Sequence, residues 1–320
     1  MSPLAYALAL ALALLPLRAA AGTLAGTVVD RTSGRPVAGT EVYLLLSQPQ
    51  ADPARTKTDA SGRFRFENLP PGEYSVAASH LEIPYIHRGI QIPEGGGDVE
   101  AKLDVYDTTT SAELITIDAD HVVVQRDGDL AVVTEILLYA NRGNRTYLGE
   151  RSPVSPTGYR LVVPLPQGYT TLEAPEGIED RIVNRREKGF DLSLPLPPGS
   201  TQVVFAYHLP AGFFGVSLDK RFPLPVRSVN IVLPGNTSWR IRSRDLGPPR
   251  LTRTKEQEAL VATGGPFPVG KVFSVRLVGG FLGTNVEAPR WGWALGGLLI
   301  ALLGLIWILK QGRAKRPVEG

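Results

Sequence analysis

Cysteine is absent from all 320 residues of the chain. Its absence removes thiolate nucleophiles, cysteine-ligated metals and disulfide staples together, so a fold of this length must hold itself by burial and sheet hydrogen bonds. Histidine is scarce: four occur, His80, His87, His121 and His208, and none is followed by Glu at the spacing of an H-x-x-E zinc pair. There is no nucleophile elbow, phosphate loop, dinucleotide fingerprint or zinc helix, and Gly95-Gly96-Gly97 opens no helical pattern and reads as a loop. No catalytic residue, cofactor or metal site is assigned on this basis, and the chain reads as a non-enzyme. Positive charge is also thinner than the net +3 suggests. Arg18 and the four basic residues Lys310, Arg313, Lys315 and Arg316 lie at the two ends, and without them the chain is close to neutral, so a nucleic-acid role is not supported.

Two apolar runs are present, one near each end. Leu4 to Leu17 is short for a membrane span and leads into Ala19-Ala20-Ala21, an A-x-A cleavage pattern. Residues 1–21 therefore read as a secretory signal peptide, with an uncleaved first helix left open because Met1-Ser2-Pro3 carries no basic side chain. Trp291 to Leu309 carries no charge and, at about 1.5 Å of helical rise per residue, is long enough to cross a hydrocarbon core of about 30 Å. Lys310, Arg313, Lys315 and Arg316 crowd the tail, 310–320, which places it in the cytoplasm and everything earlier outside. The linker 283–290 reaches at most about 28 Å, so the preceding domain is held near the bilayer. Within the anchor Gly297, Ala301 and Gly304 share one helix face, a groove through which anchors can associate; a monomeric anchor remains the alternative.

Between these runs no helical period competes with strand signals. Short alternating stretches bounded by Gly and Pro fill 22–104 and 105–282, which implies two β-sandwich domains, the second either one large sandwich or two small ones. In Arg63-Phe64-Arg65-Phe66 the phenylalanines share one face and the arginines the other. The order T-D-x-x-G-x-F-x-F-x-x-L-P-P-G-x-Y from Thr58 to Tyr74, preceded by G-T-V-V-D and by G-R-P-V-A-G-T-E-V at Gly34 to Val42, resembles the carboxypeptidase regulatory-like domain. That resemblance covers about a quarter of the chain and implies a seven-stranded, transthyretin-like sandwich used as an accessory or interaction module. Adhesin sandwiches of similar pattern join a first-strand Lys to an Asn, but Gly26 to Asp30 holds no Lys, and Lys57 and Lys102 lie elsewhere. His80, Glu82 and His87 are close in sequence without the spacing of a recognised metal site.

In the second domain Asp127-Gly128 marks a hairpin, Glu173 to Lys188 reads as an irregular middle, and the triplets at Asn144 and Asn236 are formal glycosylation acceptors. Trp239-Arg240-Ile241-Arg242-Ser243-Arg244 puts Arg240, Arg242 and Arg244 on one strand face. Such a face is either simply solvated or a dock for lipid headgroups or an acidic partner. The reading that joins these features is a single-pass protein of the bacterial inner membrane. Its N-terminal domains lie in the periplasm and scaffold other envelope or membrane proteins. A glycan-binding module is the alternative, with Tyr85 and Trp239 as the aromatic side chains available to it.

Overall fold

The computed structural model describes residues 21–46, 53–212, 215–253 and 258–279. The segments read as signal peptide (apart from Ala21), linker, anchor and tail lie outside the described residues, and so do Gly297, Ala301 and Gly304. Among the described residues there is no α-helix, and no helix is long and apolar enough to cross a membrane. Regular structure there is strand, with one 3-10 turn at Glu179–Arg181. Contacts divide the chain into two units between Thr108 and Thr109.

The first unit is built from two four-stranded sheets. In one, Gly22–Asp30 lies between Arg63–Leu69, antiparallel, and Gly97–Val105, parallel, with the two-residue strand Arg35–Pro36 paired to its end. In the other, Ala54–Lys57, Glu41–Leu46, Gly72–His80 and Ile83–Ile92 are antiparallel throughout. Phe64 and Phe66 are buried while Arg63 and Arg65 are exposed, as a half-buried strand requires, and the two rings meet edge-on at 6.1 Å.

The turn before this strand is fixed by side chains. Asp59 Oδ1 accepts the backbone N–H of Ser61 and of Arg63, both at 2.8 Å. Thr58 Oγ1 donates to the carbonyl of Val37 at 2.8 Å and accepts the N–H of Thr40 at 3.0 Å. Gly62 has φ +73°, and a Cβ there would lie 2.7 Å from the carbonyl oxygen of Val28, so the position needs glycine twice over. After the strand, the prolines turn the chain and the buried Tyr74 hydroxyl donates back to the carbonyl of Pro70 at 2.8 Å. The T-D-x-x-G and L-P-P-G-x-Y signals are therefore two turns, each closed by its own polar side chain.

The second unit is organised on a seven-stranded sheet in the order Thr170–Glu173, Gly199–Pro210, Leu130–Asn141, Ile115–Asp127, Val229–Pro234, Glu258–Gly264, Arg250–Arg253. Pairing is antiparallel except between Ile115–Asp127 and Val229–Pro234. The hairpin forms at its sequence cue, with Asp127 paired to Leu130 and Gly128 at φ +56° in the first loop position, the placement of a type II′ turn. Smaller sheets supply further core side chains, among them Tyr159–Pro164 with Gly189–Leu192 and Ile182–Arg186, Val216–Ser217 with Arg276–Gly279 and Trp239–Arg242, and Lys220–Arg221 with Val272–Phe273. One apolar core collects side chains from the large sheet and from these smaller ones.

The middle expected as irregular is more ordered than that. Ile182–Arg186 pairs with Gly189–Leu192, and the buried carboxylate of Asp191 draws Arg186 to 2.7 Å, Arg160 to 3.0 Å and Asn184 to 3.2 Å. Polar residues that hide the alternation in sequence thus gather on one oxygen, Oδ2, of a buried carboxylate.

A bulge changes which side chains of one long strand face the core. Strand Ile115–Asp127 shifts register against Leu130–Asn141 between Ile117 and Ala119. Before the shift the core-facing residues are Ile115 and Ile117; after it they are Val122 and Val124, so the inward parity changes from odd to even and Asp120 is carried into the interior.

Candidate functional site

Two charged arrangements in the second unit stand out, one on its surface and one inside it. On the surface, strand Trp239–Arg242 buries Trp239 and exposes Arg240 and Arg242, and Arg244 follows, also exposed. The alternation holds because Trp239 belongs to the core, where the Arg126 guanidinium lies 5.9 Å from its ring centroid. Arg242 is the direct cross-strand partner of Arg276, which is exposed as well. Sequence reasoning missed Arg276, because only pairing brings it opposite Arg242. Like charges placed opposite one another destabilise a sheet. No acidic side chain relieves them among the described residues. Asp245, next to Arg244, holds Lys271 at 2.7 Å, and Asp219 accepts the hydroxyls of Ser217 at 2.8 Å and Ser274 at 2.5 Å.

Inside the unit, residues 216–226 alternate strictly, with Val216, Leu218, Phe222, Leu224 and Val226 buried and Lys220 in the same inward row. Its Nζ lies 2.6 Å from Asp120 Oδ2 and 2.8 Å from Glu135 Oε2. The side chains of Lys220, Asp120 and Glu135 are 2%, 0% and 1% exposed. Tyr207 donates its hydroxyl to Glu135 Oε1 at 2.5 Å, and the Phe222 ring centroid is 5.5 Å from Lys220 Nζ. Glu135 is thereby held on both oxygens. Asp120 is not: Lys220 approaches it as a close ion pair outside the angles of a hydrogen bond, and neither Asp120 oxygen accepts one.

Burial pushes the Glu135 carboxyl up to about 7, Lys220 pulling it down and Asp120 adding to the rise. For Lys220 burial acts downward, but the charges of Asp120 and Glu135 outweigh it and hold the ammonium above its ordinary value. The Tyr207 hydroxyl is raised well above its usual range by burial and by Glu135. Sequence reasoning passed over this group, although one signal was present: V-x-L-x-K-x-F-x-L-x-V places a lysine in an otherwise apolar row.

In the first unit, His80, Glu82 and His87 do not converge; His80 instead faces Asp107 at 3.7 Å, with Asp30 close by, while Glu82 and His87 are exposed. Tyr85 and Trp239 are both buried, so neither offers a sugar-stacking platform.

Among solved structures, a candidate carbohydrate-binding protein of Pseudomonas aeruginosa is 16% identical, covering 28% of this chain and 90% of its own, at a TM-score of 0.19. The major pilin SpaD of Corynebacterium diphtheriae is 12% identical, covering 62% of this chain and 61% of its own, at 0.23. A candidate carbohydrate-binding protein of Bacteroides uniformis is 10% identical, covering 81% and 98%, at 0.22. Likeness of that size carries no inference about what this chain binds. No curated protein matches the chain. The family model that does match is that of the carboxypeptidase regulatory-like domain, over residues 23–105. That span carries the Asp59 and Tyr74 turns and the two four-stranded sheets, and residues 23–105 are a carboxypeptidase regulatory-like domain.

Proposed function

We propose that the chain is a single-pass membrane protein whose β-sandwich units lie outside the cytoplasm and act without catalysis, docking an anionic partner within an envelope or membrane assembly. The observation that supports this reading is the arginine face: Arg240, Arg242, Arg244 and Arg276 are exposed together, with Arg242 and Arg276 directly opposed. A docked anion relieves their mutual repulsion and gains charge-assisted hydrogen bonds from planar guanidinium groups. The short linker at 283–290 keeps this unit within reach of headgroups or of a neighbour's acidic surface. A glycan partner would need a platform other than Tyr85 or Trp239.

The test is binding of the full chain in detergent to anionic and to zwitterionic lipid nanodiscs, and to an acidic polypeptide, across a salt series. Replacing Arg240, Arg242 and Arg244 with Gln should hold the unfolding midpoint or raise it slightly, since it removes the Arg242–Arg276 repulsion, and should flatten the salt dependence. Equal binding by variant and parent at low salt would leave the face merely solvated. Orientation is read separately: protease added to spheroplasts should remove the bulk of the chain and spare an epitope at Gly320, and protection of the bulk would reverse the topology.

A further inference from the structure

The buried group at Lys220 is arranged as more than an ion pair. An amine and a carboxyl lie in contact in a closed core, and the carboxyl of Asp120 accepts no hydrogen bond that would hold it in place. A second carboxyl, Glu135, touches the same amine at 2.8 Å and is itself fixed by Tyr207. We propose that Lys220 and Asp120 condense to an isopeptide amide, with Glu135 as the proton carrier, joining strand Lys220–Arg221 covalently to strand Ile115–Asp127.

The step balances without any added reagent. Glu135 relays a proton from the Lys220 ammonium to the Asp120 carboxylate, leaving a neutral amine and a carboxylic acid. The Nζ lone pair attacks Asp120 Cγ and a C–N bond forms. Glu135 takes a proton from the nitrogen and returns it to a hydroxyl of the tetrahedral centre; the C–O bond breaks and one water leaves. One positive and one negative charge are lost together, and Glu135 is regenerated.

Three physical features favour it. Contact within the fold replaces a bimolecular encounter, which for well-oriented groups corresponds to an effective concentration of about 10⁵ M or more. Burial makes the charged pair costly, so its conversion to a neutral amide removes a penalty that the ionic state retains. The proton carrier titrates near neutrality, since burial brings Glu135 to about 7, where a group can both give and accept a proton. Asp120 is the acceptor rather than Glu135 because Lys220 is nearer to it and because Glu135 Oε1 is taken by the Tyr207 hydroxyl.

Intact-mass spectrometry of the purified full chain in detergent, followed by tryptic mapping, tests this. The expected mass is that of the processed sequence less one water. Digestion should yield one branched peptide joining residues 103–126 to a segment that runs uncut through Lys220 to Arg221. A chain carrying Glu135→Gln, which keeps the side-chain volume and an acceptor for Tyr207, should show the uncondensed mass. A parent chain at full mass, with the two segments recovered separately, overturns the proposal, and that measurement requires no variant to fold. A branch to the peptide containing Glu135 overturns the choice of Asp120, and loss of a water that persists in Lys220→Met overturns the site.

Discussion

Replacing Lys220 with Met tests how much of the second unit depends on one buried cation. Met has nearly the same length and none of the charge, so the apolar stem is kept while Asp120 and Glu135, at 0% and 1% exposure, lose the group lying between them. Removing one partner of a buried ionic pair costs about 3–5 kcal/mol, because the remaining charge is left without solvent or partner. Where the amide has formed, the variant also releases a loop of about 100 residues, whose closure contributes about 4–5 kcal/mol more, for about 7–10 kcal/mol in all. Trp239 is buried in the same core and is the one tryptophan among the described residues, so with Trp291, Trp293 and Trp307 changed to Phe its fluorescence follows this unit alone. The assay is denaturant unfolding of the full chain in detergent, read at Trp239. A triple variant with Lys220→Met, Asp120→Leu and Glu135→Gln removes all three charges; it should recover most of the loss from a purely ionic cluster and little of the loss from a cross-link. A Lys220→Met midpoint within about 1 kcal/mol of the parent would refute the account of a closed, charge-dependent core.

The pH response of the second unit and a turn in the first supply two more outcomes. Glu135 has its folded pKa raised from 4.5 to about 7, so the folded state holds the proton more tightly; stability from this group is full below about 4.5 and is lost as pH rises to about 7. Denaturation midpoints of the second unit should therefore fall over that window, and Glu135→Gln should remove this contribution to the slope; an unchanged slope would show that Glu135 does not titrate there. In the first unit Tyr74→Phe deletes the 2.8 Å bond to the Pro70 carbonyl without changing packing and should lower stability by about 1–2 kcal/mol in thermal unfolding, whereas no change would mean that water replaces the hydroxyl.

The all-β character and the first domain were legible in the sequence because their causes are local. Phe64 and Phe66 alternate with arginines, Asp59 closes a turn through backbone N–H groups within four residues of it, Gly62 supplies a conformation others resist, and Tyr74 reaches back only as far as Pro70. Each is a contact between near neighbours, so the order of residue types carries it. The exposure of Arg240 and Arg242 was readable for the same reason, since strand parity is a property of consecutive residues, whereas Arg244 is exposed just beyond the end of the strand. Arg276 was not readable, because its place opposite Arg242 depends on which strands pair.

The buried cluster needed the tertiary structure most. Asp120, Glu135 and Lys220 stand on three strands, and the last is separated from the others by much of the domain. A bulge between Ile117 and Ala119 reverses the inward parity of the first of these strands, so a simple two-residue period carried along it from Ile115 points the wrong way at Asp120. The order V-x-L-x-K-x-F-x-L-x-V holds a lysine in an apolar row, a signal that went unread; only the packed core decided that this lysine meets two carboxyl groups, because burial and register are set by distant segments that close over it.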